Sequence, residues 1–140
     1  MNDPLRELRL DHVGIEVSDL EAATRTYVEL FGYHAATTKV LNTRHQVEVV
    51  FLEKAGSIPI KLFRNVNAAR PPLTKLHHLA FRTDEIQASV EALVAQGARL
   101  LSPPEPGEAF DDEPIAFLYA GGVNVELVST DKRRNRLPTP

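Results

Sequence analysis

Two histidines, a glutamate and a lysine are the residues of this chain whose types and spacing could do chemistry. His12 and His78 stand at the start of two short apolar segments, "DHVGIEV" and "HHLAFRT", separated by 78 − 12 = 66 residues. Glu126 falls inside "GGVNVELVS", where a carboxylate among apolar strand residues is costly unless it finds a partner. Lys61, in "IPIKLF", is its counterpart in the first half of the chain. His45 and Gln46, in "RHQVEVVFLE", complete the set, and either could join the others. Two or three imidazoles with one carboxylate form a ligand set for Zn, Co, Ni, Mn or Fe. With no cysteine in the chain, a metal site has to be built from His, Asp, Glu or Gln.

The elements that must carry these residues repeat. "LDHVGIEVSDLEAATRTYVELFGY" (10–33) aligns with "HHLAFRTDEIQASVEALVAQGA" (77–98), placing His12 on His78, Gly14 on Ala80 and Leu20 on Ile86. Each copy begins as an alternating strand and turns into a helix. Ser18 with Glu21, and Asp84 with Gln87, have the spacing of capping boxes. Leu20, Ala23, Tyr27, Leu30 and Phe31 share one helical face, as do Ile86, Val90, Leu93 and Val94. Gly32 and Gly97 suit the helix ends. Strand-like segments follow in both copies, with Phe51 and Leu52 falling on Phe117 and Leu118 at the same offset of 66.

The expected fold is therefore α+β: two tandem β-α-β-β-β modules forming a curved mixed sheet, or cup. Residues 1–140 form one domain, with module one at about 9–64 and module two at about 76–130. "NVNAARPPLTK" (65–75) is the linker, and 131–140 form a tail.

Alternation along the strands sorts the polar residues. Val13, Ile15 and Val17 face the helix, leaving His12, Gly14 and Glu16 on the other side. In the second module His78, Ala80 and Arg82 take that side, while His77 shares the helix-facing side and reads as structural. If both halves of the sheet curl around one cavity, His12, His78, Glu126 and either His45 or Gln46 converge there. Gly14 and Ala80 leave room for something bulky.

Bulk composition excludes several other roles. The net charge of −3 offers no basic field for nucleic acid. The one basic cluster, "DKRRNR" at 131–136, reads as a frayed, solvated tail. No apolar run approaches the ~20 residues of a membrane span, and "MNDPLRELRL" lacks a signal-peptide core. A cytoplasmic protein without membrane or nucleic-acid partners is expected.

From about Arg9 to Ser129 the chain resembles the vicinal oxygen chelate superfamily, whose members share a glyoxalase-like fold. "LDHVGIEVSDLEAA…YVELFGY", "LHHLAFRTDEIQASVEALVAQGARLL" and "GGVNVELV" are especially similar to methylmalonyl-CoA epimerases and their relatives. The resemblance implies metal ligands at His12, His78 and Glu126, with a fourth at a glutamine position on which His45 falls and to which Gln46 is adjacent. Two departures accompany it. The segment "HAATTKVLNTR", where such epimerases carry a second glutamate as partner base, holds no carboxylate, and the connection between modules is short.

The implied activity is a divalent-metal-dependent epimerase or isomerase. It would remove a proton next to a carbonyl, through a metal-stabilised enolate, on an acyl-CoA or a small polyoxygenated metabolite. Glu126 is the candidate base. Lys61 is the candidate second acid/base or a substrate-binding group, with His34 and Glu48 behind it, and Arg82 could bind a substrate carboxylate or phosphate. A glyoxalase-type lyase, an Fe(II) dioxygenase and a non-catalytic binding or resistance protein are the alternatives on the same scaffold. A homodimer is the expected assembly.

Overall fold

The computed structural model describes residues 3–140. The first half contributes β1 (Arg9–Glu16), α1 (Leu20–Phe31), two short strands β2 (His34–Ala35) and β3 (Val40–Asn42), then β4 (Val47–Glu53) and β5 (Ile60–Asn65). The second contributes β6 (Lys75–Arg82), α2 (Ile86–Ala95), β7 (Arg99–Gly107), β8 (Glu113–Ala120) and β9 (Val123–Val128). The fold is α+β, as expected, with one curved mixed sheet in the order β2-β4-β5-β1-β6-β9-β8-β7 and β3 added on β4.

The internal repeat is visible in the pairing. β1 and β6 run antiparallel at the centre, and each lies parallel to the last strand of its own half, β5 or β9. Gly14 pairs with Lys61 in the first half and Ala80 with Glu126 in the second. Since Gly14 and Ala80 are equivalent, Lys61 and Glu126 are equivalent too.

Alternation divides the apolar residues into three clusters. Ile15, Val17, Val50 and Leu62 meet Leu20, Ala23 and Tyr27 of α1 on the convex side. Phe81, Val125 and Leu127 meet Ile86, Val90 and Leu93 of α2 in the same way. The third cluster fills the concave side, where Val49, Phe51 and Phe63 pack against Phe110, Ile115 and Val128. Pro103, Pro104 and Pro106 all lie in β7, at the sheet's edge, where a missing N–H costs the ladder least. No helix among the described residues is long and apolar enough to cross a membrane.

The helix starts differ from the sequence reading. Asp19, not Ser18, caps α1, its carboxylate accepting from the Ala22 amide at 3.0 Å. The Ser18 amide donates instead to Thr74. At α2 the cap position is Glu85, which makes no side-chain cap bond. Thr83 Oγ1 accepts from the Glu85 amide and bonds the Ser89 hydroxyl at 2.7 Å, an arrangement inside the fold that spacing alone does not reveal. Gly32 ends α1 with φ 74°, a left-handed conformation that glycine adopts without a side-chain clash.

The tail is not frayed. Its backbone bonds to the first half of the chain, Thr38 donating to Asn135 and Leu137 to Ala36. The Arg136 guanidinium grips both oxygens of Glu53 at 3.1 Å. Arg133 is buried, 2.6 Å from Asp11 and with its guanidinium carbon 4.4 Å from the centre of the Phe51 ring. The basic cluster is a strap whose partners lie far away in sequence.

Candidate metal centre and active-site cavity

Register irregularities on β1 and β6 position the two histidines. Pairing passes from Leu10–Phe81 to His12–Ala80, skipping Asp11, and from Gly14–His78 to Ile15–Leu76, skipping His77. An extra residue of this kind locally re-aims side chains. The skipped residue in each half then meets the imidazole that follows it. Asp11 Oδ2 lies 2.6 Å from His12 Nδ1, and His77 Nδ1 lies 2.7 Å from His78 Nδ1. Strict alternation would have turned His77 toward the helix. The bulge brings it to the concave side, against the Phe63 ring.

Each histidine also sits opposite a small residue of the other half. A β-carbon at Gly14 would stand 2.0 Å from the His78 ring. The space left by Gly14 is therefore occupied by the candidate ligand itself.

Glu126 Oε1 is the meeting point. It lies 3.1 Å from His12 Nε2, 2.9 Å from His78 Nε2 and 3.3 Å from Lys61 Nζ. His12, His78, Glu126 and Lys61 are all buried. Burial by itself raises the Glu126 pKa, but the Lys61 charge and the two imidazoles outweigh it and hold the carboxyl well below its ordinary range. Burial pushes His78 down to about 3 against the opposing pull of Glu126, and it pushes His77 down to about 4. Both imidazoles are held neutral.

A cavity of about 290 Å³ opens onto this cluster. Lys61, His77 and His78 line it with Glu16, Arg70, Asn124, Phe63 and Phe117, whereas His12 and Glu126 do not reach its wall. His45 lines the cavity too, on the face that alternation assigns it, but it lies outside the cluster of His12, His78 and Glu126. Its ring packs on Phe117, and its Nε2 stands 3.6 Å from Glu105. The structure therefore does not bring His45 to the other three. Its backbone lies in the turn before β4, where the His45 amide donates to the Asn42 side chain.

Gln46 is exposed, with φ 55°, and does not line the cavity. Arg82 also leaves the cup, because its guanidinium is drawn to Asp131 at 3.3 Å beside the tail. Glu48 pairs with Arg64 at 3.0 Å, and His34 lies in the edge strand β2. Neither lines the cavity. Glu16, Arg70 and Asn124 are cavity residues that the sequence reading did not use. For Glu16 the signal was available, since it shares a strand face with His12.

The glyoxalase/bleomycin resistance protein/dioxygenase superfamily model matches residues 11–117. The chain belongs to this superfamily. An ethylmalonyl-CoA/methylmalonyl-CoA epimerase of Cereibacter sphaeroides is 29% identical over 132 residues, covering 89% of this chain and 97% of that one. The mitochondrial methylmalonyl-CoA epimerase of Homo sapiens is 33% identical over 130 residues, covering 85% and 72%. The crystal structure of methylmalonyl-CoA epimerase from Mycobacterium tuberculosis superposes with a TM-score of 0.73 at 28% identity, covering 86% of each chain.

Superfamily membership raises the question of a metal, and the donor atoms fit one. One nitrogen of the His12 ring lies 2.6 Å from Asp11 and the other 3.1 Å from Glu126. His78 Nε2 is buried and close to Oε1 but has no aligned hydrogen bond. A cation between the two rings and the carboxylate would satisfy all three atoms. The donor atoms of His12, His78 and Glu126 lie within 4.8 Å of one another, as a shared ion requires. Asp11 holds the outer nitrogen of the His12 ring, the carboxylate support usual for a ligand imidazole, and His77 contacts the outer nitrogen of the His78 ring.

Proposed function

We propose that this protein is an epimerase that removes and returns a proton next to the thioester carbonyl of a short-chain acyl-CoA. The observation that carries the reading is the convergence of two imidazoles and a carboxylate behind a partly apolar cavity, in a chain whose relatives include methylmalonyl-CoA epimerases. A divalent ion (Zn, Co, Ni, Mn or Fe) held by His12, His78 and Glu126 would supply Lewis-acid stabilisation of the negative oxygen that develops as the proton leaves.

The chain's own groups do the rest. Phe63, Phe117, Val47 and Leu101 give the cavity apolar walls for a short branched acyl group. Lys61 and Arg70 offer positive charge to a carboxylate or enolate oxygen, and Asn42, Asn65 and Asn124 offer hydrogen bonds. A cavity of about 290 Å³ holds the acyl head, and the nucleotide portion of the thioester lies outside it. In this reading Glu126, behind the cavity wall, would hold the ion, and Lys61, on the wall, is the group that stabilises the oxygen. Glu16 and the neutral His77, both on the cavity wall, are the groups that take and return the proton in this reading.

The test is incubation of one methylmalonyl-CoA epimer with the protein in deuterated water. Loss of the α-proton signal together with appearance of the other epimer supports the reading, and an unchanged substrate refutes it. A second reading gains from the position of His45. With that residue away from the cluster, His12, His78 and Glu126 form the two-histidine, one-carboxylate set of Fe(II) oxygenases. Oxygen consumption by the Fe(II)-loaded protein would favour it over epimerisation.

A further inference from the structure

The internal symmetry of the sheet has four corners, not three. The operation that exchanges His12 with His78 exchanges Glu126 with Lys61, because Gly14 pairs with Lys61 where Ala80 pairs with Glu126. A lysine therefore stands at the position equivalent to the carboxylate ligand. Its Nζ lies 3.3 Å and 3.5 Å from the two Glu126 oxygens, and its side chain is 6% exposed.

The surroundings of that nitrogen suit a fixed ammonium. The rings of Phe63, Phe110 and Phe117 have their centres 5.7, 5.5 and 5.9 Å away. Aromatic faces stabilise an ammonium but offer a divalent ion no lone pair. The same oxygen, Glu126 Oε1, is shared by both imidazoles and the ammonium. A divalent ion held by the triad would share this carboxylate with a resident positive charge, in a buried place where like charges are poorly screened. Lys61 also reaches the cavity wall while Glu126 does not, so the ammonium stands on the side from which a ligand enters.

We propose that Lys61 sets the cation affinity of the site: its ammonium competes with a divalent ion for Glu126, so the free protein holds the ion weakly through three ligands. This rests on the reading that His12, His78 and Glu126 are a metal site, and it adds what sets the affinity of that site. Lys61 is the neutralising partner of Glu126 when no divalent ion is bound. Replacing it removes the competitor and leaves the three ligands intact.

The experiment is a titration of the chelator-treated full-length protein with Co²⁺, followed by calorimetry and by the visible absorption of the bound ion. It compares wild type, Lys61→Met, Lys61→Gln and His78→Ala. The Met variant keeps the bulk of the lysine stem among the three phenylalanines. The Gln variant keeps a hydrogen-bond donor for Glu126 should the Met variant not fold, and circular dichroism checks each protein. Co²⁺ binding at least ten-fold tighter in the Lys61 variants than in wild type, and lost in His78→Ala, is the result expected. Binding in wild type that is equalled or weakened by the Lys61 substitutions overturns the competition and leaves the metal site standing. Absence of Co²⁺ binding in every variant overturns both.

Discussion

Arg133 and Asp11, 122 residues apart in sequence, meet at 2.6 Å inside the protein. The same Asp11 oxygen lies 2.6 Å from His12 Nδ1, so the C-terminal strap is joined to the candidate metal centre through one carboxylate. Burial works against the charge on Asp11, but His12 and Arg133 overcome it and keep the pKa lowered. The side chains of the pair are only 3% and 4% exposed.

Removing Arg133 leaves the buried Asp11 carboxylate with only the His12 ring at hydrogen-bond distance and Arg82 at 4.0 Å. We expect Arg133→Leu to cost about 3–5 kcal/mol of stability, the usual range for breaking a buried pair. Urea denaturation of the metal-free protein measures it. The double variant Arg133→Leu/Asp11→Asn should recover part of the loss, since it leaves no unpaired charge. A single variant as stable as wild type would show that the strap does not compensate Asp11.

Gly14 is the second point of leverage. An added methyl group would stand 2.0 Å from the His78 ring, with Nε2 and Nδ1 at 2.3 and 2.4 Å. The ring must then leave its position, while the strand can still form because φ at Gly14 is not in the left-handed region. We expect Gly14→Ala to keep the far-ultraviolet circular dichroism of wild type and to lose at least ten-fold in both Co²⁺ affinity and epimerisation. Unchanged Co²⁺ affinity would mean that His78 does not ligate from this rotamer.

Stability should fall on acidification. Burial lowers His78 to about 3 and His77 to about 4, against an ordinary value of 6.5. Between these limits the unfolded chain takes up protons that the folded protein does not, so stability is full above about pH 6.5 and declines below it. Each such proton contributes a slope of about 1.4 kcal/mol per pH unit. Glu126, also lowered, adds to the loss below its ordinary 4.5. Urea midpoints of the metal-free protein at pH 7.5 and pH 5.0 test this, and equal midpoints would contradict it.

Much of the architecture was legible because the chain carries it twice. The offset of 66 aligned His12 with His78, and the strand alternation put both on the concave side, where they lie. The same comparison paired Lys61 with Glu126, a relationship the sheet register reproduces. What the sequence did not disclose was set by local irregularity or by distant partners. A bulge brings His77 into the cavity, because one extra residue reverses the alternation that assigned it to the helix side. His45 shares the expected strand face but stops short of the triad, held in a turn whose geometry periodicity does not encode. Arg82 and Arg133 were placed by Asp131 and Asp11, and charge composition does not name partners. "DKRRNR" looks solvated until the buried carboxylate it reaches is known.

The measurement that bears most directly on the proposed chemistry is deuterium incorporation at the α-carbon of methylmalonyl-CoA by wild type and by Glu126→Gln. Glu126 is the shared neighbour of His12, His78 and Lys61, so its replacement removes a candidate metal ligand and the charge around which the site is built. We expect wild type to incorporate solvent deuterium and epimerise the substrate, and Glu126→Gln to lose at least a hundred-fold in exchange while remaining folded. Exchange that persists in Glu126→Gln, or that is absent from the wild-type protein, would contradict proton transfer at this site.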